Sequence, residues 1–312
     1  MPELPEVETM VRDLRGPLLG AIVLDAWSVR PQMLNVDLGL LRAEVAGSRI
    51  MATERRAKTV LLRLDSGRVL TFAPRMTGLF WLGPAGAPRH RHDRFGLSLA
   101  NGQELRFRDL RTFGRIGLYT TDSDGMLLNA AGEPLFADLG PEPLGPDFEL
   151  ANFVARLGAR KRARARLKPL LLDQSFLAGL GNIYADECLW RARIHPLRQV
   201  DSLRVEEIAQ LYMTIRAVLA EAIERRGSAV SDYAPPDGRA SMQHHLAVYG
   251  RTGRPCLHCG TPIERIVIAG RSSHFCPVCQ LAPPPRESQA LVPDVPLLAA
   301  PADPSNRLAG SD

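Results

Sequence analysis

No stretch of this chain approaches the roughly 20 consecutive apolar residues that a membrane-spanning helix needs, so a helical membrane protein is excluded. The opening residues, Met1 to Glu8, are acidic and punctuated by Pro2 and Pro5, unlike the basic and apolar regions of a secretory signal. Cysteine is scarce, with five among 312 residues. Without a signal those thiols belong in a reducing, cytoplasmic compartment, where paired cysteines point to metal rather than disulfides. A large charge excess is also missing: 39 Lys and Arg face 34 Asp and Glu, a net +5 that modestly favours an anionic partner. With 45% hydrophobic and 23% charged residues the composition is that of a folded protein, which excludes a disordered chain.

The length suits about two domains at the usual ~100–200 residues each. Val7, Met10, Val11 and Leu14 recur at helical spacing. From Ala21 to Thr120 the texture changes to short β-type runs, at 59–64, 69–72, 79–82, 96–99 and 104–107, separated by Gly, Pro, Asn and Asp turn signals. Such spacing predicts an antiparallel sandwich or barrel. Residues 121–146 read as a linker rich in Gly, Pro and Asp, after which 147–226 turns helical. There Leu203, Ile208, Leu211, Ile215, Val218, Leu219 and Ile223 form a stripe that belongs to a core. Residues 227–246 lack a period and read as a mobile loop closing the helical domain at 246. A third unit spans 247–280, and the Pro- and Ala-rich tail 281–312 is expected to be disordered. The fold class is therefore α+β: a β-sandwich with flanking helices, then a helical domain and a cysteine-bearing hairpin.

Cys256-x-x-Cys259 and Cys276-x-x-Cys279 are separated by sixteen residues, the spacing of a tetrathiolate zinc site. Each knuckle offers two thiolates from one turn, and four fill the shell of one structural Zn2+. His258 and His274 are then unneeded, and the lone Cys188 reads as core. Between the knuckles, 263–268 and 272–275 should pair as a hairpin with Gly270 and Arg271 near its tip. An arginine there is either simply solvated or a phosphate contact.

Arg156, Arg160, Lys161, Arg162, Arg164, Arg166 and Lys168 crowd thirteen residues with no acid among them. This is either a solvated face or a nucleic-acid contact. A helix over Leu167–Phe176 follows, with Pro169 tolerated in its first turn. Then a Gly179–Gly181 turn opens a second helix near Asn182, whose free N–H groups suit phosphate. At the other end of the chain, removal of Met1 would expose the secondary amine of Pro2. An α-amine has a pKa near ~8, so part of it is a neutral nucleophile. Glu3 stands beside it, and Glu6 lies one turn on.

MPELPEVET at the start, GLGNIYADE at 179–187 and VYGRTGRPC before the second half of the cysteine pattern together closely resemble the formamidopyrimidine-DNA glycosylase family. The resemblance runs from Met1 to about Gln280. It implies a monomeric, bifunctional glycosylase and abasic-site lyase that flips oxidised purines, 8-oxoguanine and formamidopyrimidines, out of damaged double-stranded DNA. By resemblance Pro2 would be the nucleophile, Glu3 the acid/base and Lys58 an assisting lysine. Lys168, Asn182, Arg271 and His92 would hold DNA. Met76, Arg111 and Phe113 would fill the void left by the flipped base. Glu6 and Glu187 would line the base pocket, and the segment 226–232 corresponds to a lesion-capping loop.

Two segments depart from the family pattern. Ala73-Pro-Arg-Met76 replaces a His-Leu-Gly-Met type of sequence, and Asp109-Leu-Arg-Thr-Phe113 lacks the usual proline and second arginine. Three other readings compete: an endonuclease VIII-like enzyme for oxidised pyrimidines, a DNA-binding relative without turnover, and a zinc-ribbon RNA- or ribosome-binding protein. Pro2-Glu-Leu-Pro5 rather than Pro-Glu-Gly-Pro favours the purine branch over the first.

Overall fold

The protein is described from a computed structural model that covers residues 1–159, 162, 164–229 and 238–283. Helix α1 (Leu4–Leu18) opens the chain and buries Val7, Val11, Leu14 and Leu18. Strands β1 (Val23–Ser28), β2 (Ile50–Arg56), β3 (Thr59–Leu64), β4 (Arg68–Ala73), β5 (Gly78–Pro84), β6 (Asp93–Leu99), β7 (Gln103–Asp109), β8 (Arg115–Thr121) and β9 (Leu127–Leu128) follow, with helix α2 (Leu38–Val45) between the first two. They form a four-stranded sheet, β1-β6-β7-β5, and a five-stranded sheet, β2-β3-β4-β8-β9, with antiparallel neighbours throughout.

The core between the sheets is aromatic. Phe72 of one sheet meets Phe80, Phe95 and Phe107 of the other at ring distances of 5.2, 5.7 and 5.8 Å. Edge and tilted contacts of this kind add to the apolar burial that drives the packing. Strands β1, β2 and β8 were not individually legible. In β2 only Ile50 and Thr53 are buried and a bulge interrupts pairing, so no alternation survives in the sequence. Helix α2 was missed too: it is only eight residues long and is held at its start by Asp37, which accepts from Gly39 and Leu40 N–H.

The helical part comprises α3 (Leu150–Gly158), α4 (Leu167–Leu172), α5 (Asn182–Arg191) and α6 (Val205–Glu224). The expected helix to Phe176 stops at Leu172, because Asp173 leaves helical backbone and its carboxylate turns to Ser175 N–H. The stripe of α6 is buried as expected from Leu211 to Ile223, while Leu203 packs from just outside the helix. On the flanks of the loop 227–246, Met242 and Leu246 join the helical core rather than lying free. Its residues 230–237, including part of the lesion-capping segment, lie outside the described residues. So do Arg160 and Lys161 of the basic cluster and the tail from 284 onward.

Strands β10 (Glu264–Ile268) and β11 (Arg271–Phe275) make the terminal hairpin, turned by Ala269 and Gly270, both at positive φ. Residues 121–146 do more than span a gap. Leu127 joins Leu61 and Val69 under the second sheet, and Glu142 accepts hydrogen bonds from Arg55 and Arg56 and from Ala57 N–H. The N-terminus also crosses over: Leu4 belongs to the helical core and donates its N–H to Gly179 O at 3.0 Å.

Candidate active site

That crossing brings Glu3 to the start of α5. Its carboxylate accepts from Ile183 N–H at 2.9 Å and Tyr184 N–H at 3.4 Å, so a side chain from the first helix caps a helix of the second half. Glu3 is 1% exposed. Burial pushes its pKa up to about 7, against the lowering pull of Lys58, with nearby Glu6 adding to the rise. Its carboxyl is thus poised to hold or release a proton near neutrality.

Gly181 makes the approach possible. A Cβ there would collide with Glu3 Cδ and Oε1. Gly181→Ala is therefore expected to lower stability by about 1–3 kcal/mol through overpacking, read as a fall in unfolding midpoint. An unchanged midpoint would mean that Glu3 does not dock on α5.

Glu6 serves as a hub behind Glu3. One oxygen accepts Glu3 N–H at 2.8 Å, and the other accepts Tyr184 Oη at 2.5 Å and Ser228 N–H at 2.8 Å. These bonds consume the carboxylate, and Glu6 is not among the residues lining the two cavities that Met1 borders. Its expected place in a base pocket is corrected to support of Glu3. Glu187 is corrected likewise: it is buried and accepts from the N–H groups of Ala247, Val248 and Tyr249 at 2.8, 3.0 and 2.9 Å. It shapes the chain that leads to the cysteine knuckles instead of facing a ligand.

Lys58 follows Ala57, which turns the β2–β3 hairpin at φ 50°. Its ammonium donates to Leu180 O at 2.9 Å, and burial lowers its pKa while Glu3 opposes that shift. Lys58, Pro2, Arg75 and Arg271 share a cavity of about 400 Å³. Met1 also borders a second cavity of about 500 Å³, lined by Glu3, Met76, Asn182 and four arginines, Arg111, Arg251, Arg254 and Arg271. Among the described residues Glu3 is its only acidic wall, so the space suits a polyanion. Arg251, Arg254 and Tyr249 of this wall were not singled out from the sequence. The signal was present, in two arginines separated by Thr252 and Gly253 just before the first knuckle.

The two departing segments meet across this cavity. Buried Asp109 accepts from Thr77 Oγ1, from Arg111 N–H at 3.2 Å and from Gly114 N–H at 2.7 Å. These bonds hold the 109–114 loop despite its altered residues, with Thr112 at φ 60°. At its tip Phe113 is 49% exposed, and the Arg111 guanidinium lies 4.9 Å from its ring centre. An exposed aromatic with a stacked arginine is a costly surface for a free protein and a suitable wedge for a base stack. His92 lines neither cavity. Its backbone O accepts Asp109 N–H at 2.9 Å, which places it at the root of this loop.

Lys168 does not face the cavities. It is 1% exposed, and its ammonium is spent on Asp186 at 2.6 Å and Ser272 O at 2.7 Å. A direct phosphate contact is corrected to an internal tie. Asn182 does line the second cavity, while its amide donates to Ser272 O at 3.1 Å.

The four sulfurs of Cys256, Cys259, Cys276 and Cys279 lie within 4.8 Å of one another, with pairs at 3.4, 3.5 and 3.9 Å. Tetrahedral zinc with Zn–S of about 2.3 Å sets its sulfurs about 3.8 Å apart, so the residues fit one structural zinc. His258 N–H and Cys279 N–H point at knuckle sulfurs, which favours thiolates. The local apolar cluster is small, Val248, Cys256, Ile263 and Cys276 with Trp190 beside them, too little to fold a module without metal.

Three family models match: the formamidopyrimidine-DNA glycosylase N-terminal domain over 1–116, its H2TH domain over 139–234 and a zinc finger found in FPG and IleRS over 253–282. A formamidopyrimidine-DNA glycosylase of Herpetosiphon aurantiacus is 47% identical over 283 residues, 90% of this chain and all of that protein. One of Chloroflexus aggregans is 46% identical over 90% of this chain and 99% of its own. Among solved structures, MutM in complex with DNA containing carbocyclic 8-oxo-G superposes with a TM-score of 0.81 at 35% identity, over 90% of this chain and 100% of that one. Lactococcus lactis Fpg with DNA containing an abasic site gives 0.81 at 36% identity, with the same coverage.

Proposed function

The chain belongs to the formamidopyrimidine-DNA glycosylase family and is a DNA glycosylase of base repair, and from that premise we propose that it excises oxidised purines from duplex DNA and nicks the resulting site through Pro2. The observation that carries this reading is the position of Glu3: a buried carboxyl with a pKa of about 7, next to Pro2 and Lys58, at the edge of an arginine-lined cavity.

With Met1 removed, the neutral Pro2 nitrogen attacks C1′ of a flipped nucleotide. The glycosidic bond breaks, and the base leaves carrying the proton that the attacking amine gives up. Glu3 then gives its proton to O4′ and is left as a carboxylate, the C1′–O4′ bond breaks, and the nitrogen lone pair turns the C1′–nitrogen bond into an iminium. Loss of a C2′ proton then expels the 3′ phosphate, and a second elimination expels the 5′ phosphate. Water finally releases Pro2. Lys58, whose ammonium is partly desolvated, sits where it can hold a phosphate oxygen and steady the charge on Glu3. Phe113 and Met76 would enter the duplex while Arg111 faces the orphaned partner base. All of these groups come from one chain, which suits a monomer acting in the cytoplasm, where the knuckle thiols stay reduced.

Borohydride trapping tests the reading on duplexes carrying 8-oxoguanine opposite cytosine, an abasic site, or thymine glycol. A covalent adduct at Pro2 on the first duplex is expected. Trapping on the abasic duplex alone would leave a lyase without this base pocket, and trapping chiefly on thymine glycol would favour the pyrimidine branch.

The pH profile has a defined sign. The proton-bearing form of Glu3 is the active one, and it is lost as pH rises through about 7. The Pro2 amine, with an ordinary value near ~8, is lost to protonation as pH falls. Single-turnover excision should therefore pass through a maximum between the two and decline above it. A rate still climbing at pH 9 would remove Glu3 from the acid role.

A further inference from the structure

We propose that Asp186 is a positioning residue that acts through Arg271, by bolting the free edge of the terminal hairpin to α5. The proposal rests on the phosphate-holding role given to Arg271 above, and the test separates the two.

The two-residue turn at Ala269 and Gly270 makes Ile268 and Arg271 a hydrogen-bonded pair, as are Ile266 with Ser273 and Glu264 with Phe275. The backbone groups of Ser272 and His274 therefore point away from β10, along an open strand edge. No third strand covers them among the described residues. Side chains do so instead. Ser272 O accepts Lys168 Nζ at 2.7 Å and Asn182 Nδ2 at 3.1 Å. Asp186 Oδ2 accepts both the N–H and the Nδ1 of His274 at 3.0 Å, and its Oδ1 takes Lys168 Nζ at 2.6 Å.

Lys168 and Asp186 are each 1% exposed. A buried ion pair of this kind is a poor source of stability compared with an apolar pair, and is better suited to selecting one arrangement. The arrangement selected here is the register of β11 against α5. Arg271, one residue before the bolted Ser272, is thereby held between the two cavities, both of which it lines. Toward the tip the hairpin is lightly held, with Val267, Ala269, Gly270 and Arg271 exposed, whereas its base is packed through Ser273, His274 against Tyr249, and Phe275 against His195.

The test is binding of the full zinc-loaded chain to a duplex carrying an uncleavable tetrahydrofuran site, titrated over a range of KCl. Arg271→Ala should lower the magnitude of the slope of log affinity against log salt by about one, as one phosphate contact is lost. D186N should weaken binding roughly tenfold, a usual span for coupling between sites, with the same fall in slope. In the R271A background D186N should add nothing further. Because D186N leaves Lys168 with a weakened partner, zinc content is measured alongside to separate loss of position from unfolding of the hairpin. The paired replacement K168M/D186L, apolar and of similar volume, keeps the interior filled while cutting the bolt, and should copy R271A. Unchanged slope in R271A overturns the Arg271 reading and the proposal with it. A normal slope in both D186N and K168M/D186L, or full additivity with R271A, overturns the positioning role alone.

Discussion

Glu3→Gln is expected to lower single-turnover excision of 8-oxoguanine by about 10²–10⁴-fold, the usual worth of a placed general acid, while duplex binding stays close to that of the unaltered protein. Glutamine has the same shape and keeps one oxygen for Ile183 N–H, the shorter of the two bonds. Only the weaker bond from Tyr184 N–H at 3.4 Å loses its acceptor, so the docking of the N-terminus on α5 survives. What disappears is the transferable proton. Nicking of a preformed abasic site, in which the base has already gone, should suffer less, because Pro2 remains. Excision at an undiminished rate would show that ring opening draws its proton from elsewhere.

Removal of zinc should have an effect of comparable size on binding. Cys276 is fully buried within a cluster too small to hold the hairpin by itself. Structural zinc supplies about 10–16 kcal/mol to small modules of this kind. Cys276→Ser should therefore abolish metal binding and leave Arg251, Arg254 and Arg271 without a fixed geometry. If each of these three meets a phosphate, the salt slope falls by about 0.9 apiece. The core between the two sheets shares no residue with the cysteine cluster, so its unfolding midpoint should change little. Metal analysis combined with a binding titration decides the matter: a variant that keeps one zinc and normal affinity would refute the structural role.

The departures at Ala73–Met76 and Asp109–Phe113 show how far local sequence carries. Read as residues, they put the wedge in doubt. In the fold, Asp109 supplies the bonds that shape the loop, and neither Leu110 nor Thr112 is needed for them. Leu110 is instead 45% exposed beside the wedge. The lysine at 168 teaches the opposite lesson. A basic cluster and a family match both pointed to phosphate, yet its ammonium is enclosed, because an aspartate eighteen residues on lies one helix away.

Sequence alone determined the features whose cause is local. The knuckle spacing specifies a four-thiolate site, since two ligands per tight turn need no distant partner. Helical and strand periods announce α1, α6 and most sandwich strands, because burial of one face repeats along the chain. The order of three motifs identified the family. Only the tertiary structure decided which charged side chains are working groups and which are internal ties. Glu3, Glu6, Glu187 and Lys168 are all buried, and what separates them is whether backbone N–H groups, partner charges or a cavity surround each one. Those neighbours come from segments up to 222 residues apart, as with Glu6 and Ser228. Desolvation and hydrogen bonding act through space, so no reading along the chain could have assigned them.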